Sequence, residues 1–335
     1  MSEILVIGGG SWGTAFANYL TLNNKSVKIW VREPEVIESI RSGRENRIFL
    51  PGKQLSENLI PVSDLEAILR NTEIIVFAVP SKFIRNTFER IKALVGDKIL
   101  VNLSKGFEAT SLKTISQLAI DIMGPNIIEK WVTISGPSFA KELAQDFPTA
   151  VVAGSTNETL LRNIQARFSS NILRIYRSDD LTGIEVAGSL KNIMAIASGI
   201  TSGCGFGYNT TSALITRANM EISRFGIQLG AKKETFWGLA GIGDLILTCF
   251  GTLSRNFQLG VRIAKGETLD EIEKSNVMIA EGVETTRAIH TLSEKLGIDM
   301  PISSEVYQIL FDKKSPIKAI KELMKRSLKP EWNLN

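Results

Sequence analysis

The stretch Ile4-Leu5-Val6-Ile7-Gly8-Gly9-Gly10-Ser11-Trp12-Gly13-Thr14-Ala15-Phe16-Ala17 decides the fold. Aliphatic and β-branched residues stop abruptly at glycine, and an apolar helical pattern follows at once. Gly8, Gly10 and Gly13 match G-x-G-x-x-G between a buried strand and a helix, which is the context the motif needs. Gly8 permits the tight turn, Gly10 lets backbone approach a pyrophosphate, and Gly13 lets the helix lie close on the strand. The unpaired N–H groups at the helix start then face the phosphates. A glycine-rich turn occurs in many parallel α/β proteins, but strand, turn and helix agree here, and the reading is dinucleotide binding.

Working outward, further strands are expected at 27–31, 74–79, 98–103, 132–135 and 149–153, with helical patterns at 81–94, 111–123 and 157–168 between them. Continuous apolar strands separated by helices indicate a mostly parallel sheet covered on both faces. From about residue 180 helical patterns dominate, at 182–200, 209–230, 256–265, 283–296 and 303–327. The polar link Arg177-Ser178-Asp179-Asp180 marks the change. The predicted fold is therefore α/β: a Rossmann-type sheet domain over 1–178, then an all-α domain over 179–335.

Composition narrows the function. The 335 residues are 44% hydrophobic and 22% charged, ordinary values for a globular protein with a large core. A net charge of +4 is too modest for a nucleic-acid partner. Cys204 and Cys249 are the two cysteines and lack C-x-x-C spacing, so neither a disulfide framework nor a metal site is expected. The single histidine, His290, reads as a partly exposed helix residue. Acid–base chemistry then falls to lysine or a carboxylate. With no leader pattern and no long apolar run, a cytoplasmic protein without stable membrane insertion is expected. The basic stretch 313–329 reads as a solvated face with Ile317, Ile320, Leu323, Met324 and Leu328 turned inward.

Sheets of this kind bind ligands at the carboxyl ends of their strands. After the second strand stand Arg32, suited to a 2′-phosphate, and Glu33, suited to a ribose hydroxyl, or the two form a surface pair. NADPH is favoured, with NADH as the alternative. Ser104-Lys105-Gly106 places an ammonium at a later strand end, and Gly136-Pro137-Ser138 turns into a helix start whose N–H groups suit a small oxyanion. Lys191 has Ala187, Gly188, Met194 and Ala195 at helical neighbour positions, so no local carboxylate explains it. It needs a distant partner or a catalytic role with a pKa lowered by desolvation. Asn192 is placed to position a substrate hydroxyl. Asp244, after a glycine-rich run, is either a helix cap or a carboxylate that orients Lys191 or receives substrate hydroxyls. Ser254-Arg255-Asn256 combines hydroxyl, guanidinium and amide at a helix start, a good phosphate clamp.

These residues carry a family resemblance over essentially the whole chain. Gly8 to Ala15, Ser104-Lys105-Gly106, Ile134 to Glu142, Gly188 to Asn192, Gly241 to Leu245, Ser254-Arg255-Asn256 and Glu281-Gly282 resemble the bacterial-type NAD(P)-dependent glycerol-3-phosphate dehydrogenases. The resemblance implies Lys191 as proton donor and acceptor. It implies substrate contacts from Lys105, Gly136, Ser138, Lys191, Asp244, Ser254, Arg255 and Asn256. Cofactor contacts are implied for Ser11, Trp12, Arg32, Lys105, Ala140, Arg255, Ile279 and Glu281. Departures are small: Gly9 replaces a frequent alanine, Ser138 a frequent threonine and Ile279 the usual valine. The implied enzyme reduces dihydroxyacetone phosphate to sn-glycerol 3-phosphate reversibly, as a cytoplasmic homodimer feeding phospholipid synthesis. Two alternatives are a related β-hydroxyacid-type dehydrogenase, which needs no phosphate clamp, and a non-catalytic NADP sensor, which needs no Lys191.

Overall fold

The computed structural model describes residues 3–24, 26–275, 280–328 and 330–331. The first half runs β1 (Glu3–Ile7), α1 (Ser11–Leu20), β2 (Val27–Trp30), α2 (Pro34–Gly43), β3 (Leu59–Val62), α3 (Leu65–Leu69), β4 (Thr72–Phe77), α4 (Ser81–Ile91) and β5 (Ile99–Asn102). It continues with the short hairpin β6 (Phe107–Glu108) and β7 (Lys113–Thr114), then α5 (Ile115–Met123), β8 (Trp131–Ser135), α6 (Ala140–Ala144), β9 (Thr149–Gly154), α7 (Glu158–Phe168) and β10 (Leu173–Ser178). Helices complete the chain: α8 (Leu181–Gly203), α9 (Tyr208–Gln228), α10 (Asp244–Phe250), α11 (Arg255–Ala264), α12 (Leu269–Ser275), α13 (Glu281–Leu296), α14 (Pro301–Phe311) and α15 (Pro316–Met324).

The main sheet has eight strands in the order β10-β9-β8-β5-β4-β1-β2-β3. All neighbours are parallel except β8 and β9. Two strands, β3 and β10, extend it beyond the expected set, and they are its two edges. Edge position explains why they escape a search for apolar runs: β3 contains Pro61, and β10 alternates as Leu-Arg-Ile-Tyr-Arg-Ser. Arg177 and Ser178, expected to link two domains, are the end of β10. One apolar layer, including Val6, Phe16 and Val132, covers one face of the sheet, and another, including Leu5, Phe77 and Trp131, covers the other.

A third core surrounds α8, whose middle is buried on all sides. A helix apolar all round belongs in an interior, and α9, α10, α11, α13 and α14 pack about it. Asp180 caps its first turn by accepting from Gly183 N at 2.9 Å, leaving Lys191 nearly three turns inside. The helix expected over 303–327 is instead α14 and α15. Pro316 opens α15, and the residue before a proline is driven to extended backbone, which Ser315 adopts. The inward face expected for the basic stretch holds only in part: Ile320 and Leu323 are half-buried, while Ile317 is exposed. Met324 and Leu328 are 82% and 100% exposed, because α15 ends at Met324 and its buried contact is Ala319. Lys329, counted in that stretch, lies outside the described residues.

Candidate active site

The glycine turn follows β1 and takes the shape its spacing implied. Gly8 has φ +122°, and a Cβ there would meet Ala78 O at 2.4 Å. A Cβ on Gly13 would meet Gly8 O at 2.0 Å, so helix and turn touch backbone to backbone. Gly10, in contrast, faces open space with nothing within 4 Å of a Cβ position. That is the fit a pyrophosphate requires: two glycines demanded by the fold and a third left clear for a ligand.

A buried amide braces this turn. Asn46 Nδ2 donates to Gly9 O and to Thr14 Oγ1, each at 2.8 Å, and Asn46 Oδ1 accepts from Phe49 N at 3.0 Å. Ser11 Oγ donates to Phe49 O. Sequence reasoning missed Asn46, since nothing local distinguishes it from a loop asparagine. Trp12 packs on Phe16 with ring centroids 5.8 Å apart. Past β2, Arg32 Nε and Nη2 donate to Glu33 Oε1 at 3.1 and 2.8 Å, and the guanidinium sits 5.2 Å from the Phe83 ring centroid. The two residues proposed as cofactor selectors thus pair with each other, and Arg32 remains 63% exposed.

Lys105 follows β5, and Gly136 follows β8 with φ +142°. Ser138 Oγ donates to Gly136 O at 2.9 Å, and the helix after it starts at Ala140, later than the expected glycine–proline turn. Ala140 therefore sits in the first turn of α6, which packs against α1.

The densest chemistry joins these loops to α8. Lys191 Nζ donates to Asp244 Oδ1 and, at 2.8 Å, to Thr248 Oγ1. Lys105 Nζ donates to the other carboxylate oxygen of Asp244 at 2.6 Å. Thr248 Oγ1, one turn along α10, donates back to Asp244 O at 2.6 Å. Asp244 is 1% exposed and Lys191 7%. Asp244 caps nothing, because the N-cap of α10 is Gly243 and no side chain bonds the free N–H groups.

The electrostatics follow from burial. Desolvation is the largest effect on Lys191 and, with the like charge of Lys105, outweighs the pull of Asp244 to bring the ammonium down to about 8. Burial would raise the Asp244 carboxyl, but Lys105 and Lys191 together hold it below the ordinary aspartate value. Burial pushes the Cys249 thiol up to about 12, so it is not a nucleophile. Glu281 opens α13, and burial raises its carboxyl against the opposing charges of Arg255, Lys105 and Lys191. Lys105 from a strand end, Lys191 from α8 and Asp244 from α10 meet directly.

Ser254 caps α11, accepting from Phe257 N at 3.2 Å, and Arg255 begins the helix exposed. Asn256 Oδ1 accepts from Gly282 N at 2.9 Å, which leaves its amide N–H groups as the donors available to an anion. Asn192 is buried on α8 beside Lys191, and its carbonyl lies 2.9 Å from where a Gly282 Cβ would be. Ile279 lies outside the described residues. His290 is not part of this cluster; it stacks on Tyr307 with centroids 3.7 Å apart. Thr248 is the functional candidate absent from the sequence reading, and its signal was the i, i+4 spacing from Asp244 on one helix.

Among the described residues no group of three or more His, Cys, Asp or Glu side chains is placed to hold a metal ion, and no helix is long and apolar enough to cross a membrane.

Known proteins match this arrangement along the whole chain. Residues 3–161 and 180–321 match the N-terminal and C-terminal family models of NAD-dependent glycerol-3-phosphate dehydrogenase. The chain is 44% identical over 330 residues to glycerol-3-phosphate dehydrogenase (NAD(P)+) of Citrifermentans bemidjiense, covering 98% of each chain. It is likewise 44% identical to the enzyme of that name from Solidesulfovibrio magneticus, over 98% of this chain and 100% of that one. Among solved structures, glycerol-3-phosphate dehydrogenase from Coxiella burnetii superposes with a TM-score of 0.92 at 34% identity, covering 97% of this chain and 99% of that one.

Proposed function

Because the chain belongs to the NAD-dependent glycerol-3-phosphate dehydrogenase family, we propose that Lys191 is the general acid–base of its reaction and that Asp244 and Thr248 hold it in place. The protein is an NAD(P)-dependent oxidoreductase that interconverts dihydroxyacetone phosphate and glycerol 3-phosphate. The observation that carries the proposal is the buried ion pair between Lys191 and Asp244, where Lys105 from a strand-end loop meets α8 and α10.

Reduced nicotinamide, when bound, supplies hydride to the carbonyl carbon. Lys191 as ammonium gives its proton to the carbonyl oxygen as negative charge develops there, and as neutral amine takes the hydroxyl proton in reverse. A pKa near 8 keeps both forms accessible close to neutrality, where a general acid–base works best. Asp244 keeps the amine from rotating away, and Thr248 fixes a second of its N–H directions. Ser254, Arg255 and the Asn256 amide are assigned to the phosphate, with Lys105, Gly136, Ser138 and Asn192 around the three-carbon body. Binding energy from the non-reacting phosphate then positions the reacting carbon. Gly8, Gly10, Gly13, Ser11, Trp12, Arg32, Ala140, Ile279 and Glu281 are assigned to the cofactor, as are Lys105 and Arg255.

NADPH is the favoured cofactor because Arg32 is exposed while Glu33 is neutralised by it. We further propose a cytoplasmic homodimer that supplies glycerol 3-phosphate to phospholipid synthesis, with a sheet domain over 1–178 and a helical domain over 179–335. The family-model bounds and the end of β10 at Ser178 support that division. Steady-state turnover of dihydroxyacetone phosphate with NADPH and with NADH tests the reading. The expectation is oxidation of both cofactors with a lower KM for NADPH; no oxidation of either rejects it. A phosphate-free hydroxy acid should compete poorly, which separates this reading from a β-hydroxyacid-type dehydrogenase.

A further inference from the structure

Between the carboxyl ends of β5 and β8 and the first turns of α8 lies a cavity of about 10 Å³, lined in part by Ser104, Thr133, Ser135, Glu185 and Gly188. Ser104 Oγ and Ser135 Oγ are buried there, the residues being 7% and 3% exposed, and neither hydroxyl has a hydrogen-bond partner among the described residues. Buried polar groups left unpaired are rare, and two on the wall of one cavity point to a shared partner.

Glu185 supplies the third wall. It is 5% exposed and accepts from Ser116 Oγ at 2.7 Å, from Ser116 N at 3.2 Å and from Thr133 Oγ1 at 2.8 Å. Thr133 Oγ1 itself accepts from Trp131 Nε1 at 3.0 Å, so its own proton goes to the carboxylate. With Thr114 also bonded to it, Glu185 has four donors on its roughly four acceptor positions and walls the cavity without needing a further partner. The space exists because position 188 is glycine: a Cβ there would come within 2.8 Å of Ser135 Oγ.

We infer that this cavity is a structural water site, holding one water bonded to Ser104 Oγ and Ser135 Oγ. Its volume is about that of one water, and two polar partners fall within the usual two to four of a buried one. The water ties together the segments that carry the site, since Ser104 directly precedes Lys105 and Ser135 directly precedes Gly136. Glu185 stands on the same helix as Lys191. Ser189, one turn beyond Glu185, adds a direct link by accepting from Gly106 N at 2.9 Å and donating to Glu185 O at 2.6 Å. Ser104 and Ser135 are positioning residues, acting through Lys105 and Gly136. That kinetic half rests on the proposed function; the water itself does not.

The test is a crystal structure of the full chain at a resolution that shows single waters. A peak roughly 2.7–3.2 Å from both serine hydroxyls is expected; a cavity without one, or the two hydroxyls bonded to each other, overturns the inference. In the double variant Ser104→Ala, Ser135→Ala the peak should vanish. The KM for dihydroxyacetone phosphate should rise about fivefold, with kcat and cofactor KM held, the loss of roughly one hydrogen bond's net contribution. An unchanged KM in a variant that has lost the water overturns the coupling. Failure of the wild-type chain to reduce dihydroxyacetone phosphate would sink the proposed function and leave the electron density to decide the water.

Discussion

Lys191 and Asp244 lie 53 residues apart in sequence, and the ammonium of one donates directly to the carboxylate of the other inside the protein. The pair is asymmetric in consequence. Asp244 is also held by Lys105, so it remains charged whichever protonation state Lys191 adopts. Breaking a buried pair by removing one partner costs about 3–5 kcal/mol, because the other charge is stranded.

The pH dependence follows from that arrangement. Reduction needs Lys191 charged, so kcat/KM for dihydroxyacetone phosphate should fall as pH rises through about 8, and oxidation of glycerol 3-phosphate should rise through the same value. Substitutions of its neighbours should move the inflection in opposite directions. Asp244 raises the Lys191 pKa, so Asp244→Asn should lower it; Lys105 depresses it, so Lys105→Met should raise it. Rate profiles of both variants in both directions check the signs.

Thr248→Val keeps the shape of the side chain but removes the acceptor that Lys191 Nζ finds at 2.8 Å. Leaving a charged donor short of one bond costs about 1–3 kcal/mol, so kcat should drop roughly 10- to 100-fold. Thr248→Ser keeps the acceptor and should restore most of the rate. Equal losses in both variants would make the methyl group, not the hydroxyl, the important part.

The two glycines should separate fold from ligand. Gly8→Ala places a Cβ against Ala78 O at a φ of +122° and should lower the melting temperature with or without cofactor. Gly10→Ala meets no protein atom, so stability should hold while cofactor affinity falls by about tenfold or more. Thermal melts with and without NADPH distinguish them.

Arg255→Met should raise the KM for dihydroxyacetone phosphate by roughly 10- to 100-fold, as expected for losing hydrogen bonds worth about 1.5–3 kcal/mol to a charged group. Inhibition by inorganic phosphate should weaken in parallel. A KM change without that second effect would place Arg255 away from the phosphate.

How much of this was legible beforehand depended on whether the information was local. The glycine turn is complete within residues 4–17, because strand, turn and helix all adjoin it. Lys191 was conspicuous because an ammonium among Ala187, Gly188, Met194 and Ala195 has no local partner. Which residue answers it was open, since Asp244 is brought in by α10 packing on α8 and sequence alone left it as cap or partner. Asn46 gains meaning only through packing, with no pattern to mark it, whereas Thr248 is marked only by its i, i+4 spacing from Asp244. The edge strands β3 and β10 were missed for a different reason: exposed on one side, they lack the continuous apolar run that betrays the central strands.

The central claim is that the amine of Lys191 moves the proton, and Lys191→Met tests it most directly. Single-turnover oxidation of bound NADPH by dihydroxyacetone phosphate should slow by about 10²- to 10⁴-fold, with NADPH affinity unchanged. It should also lose its inflection near pH 8. Turnover within a few-fold of the wild-type rate, or an intact inflection, would contradict the account.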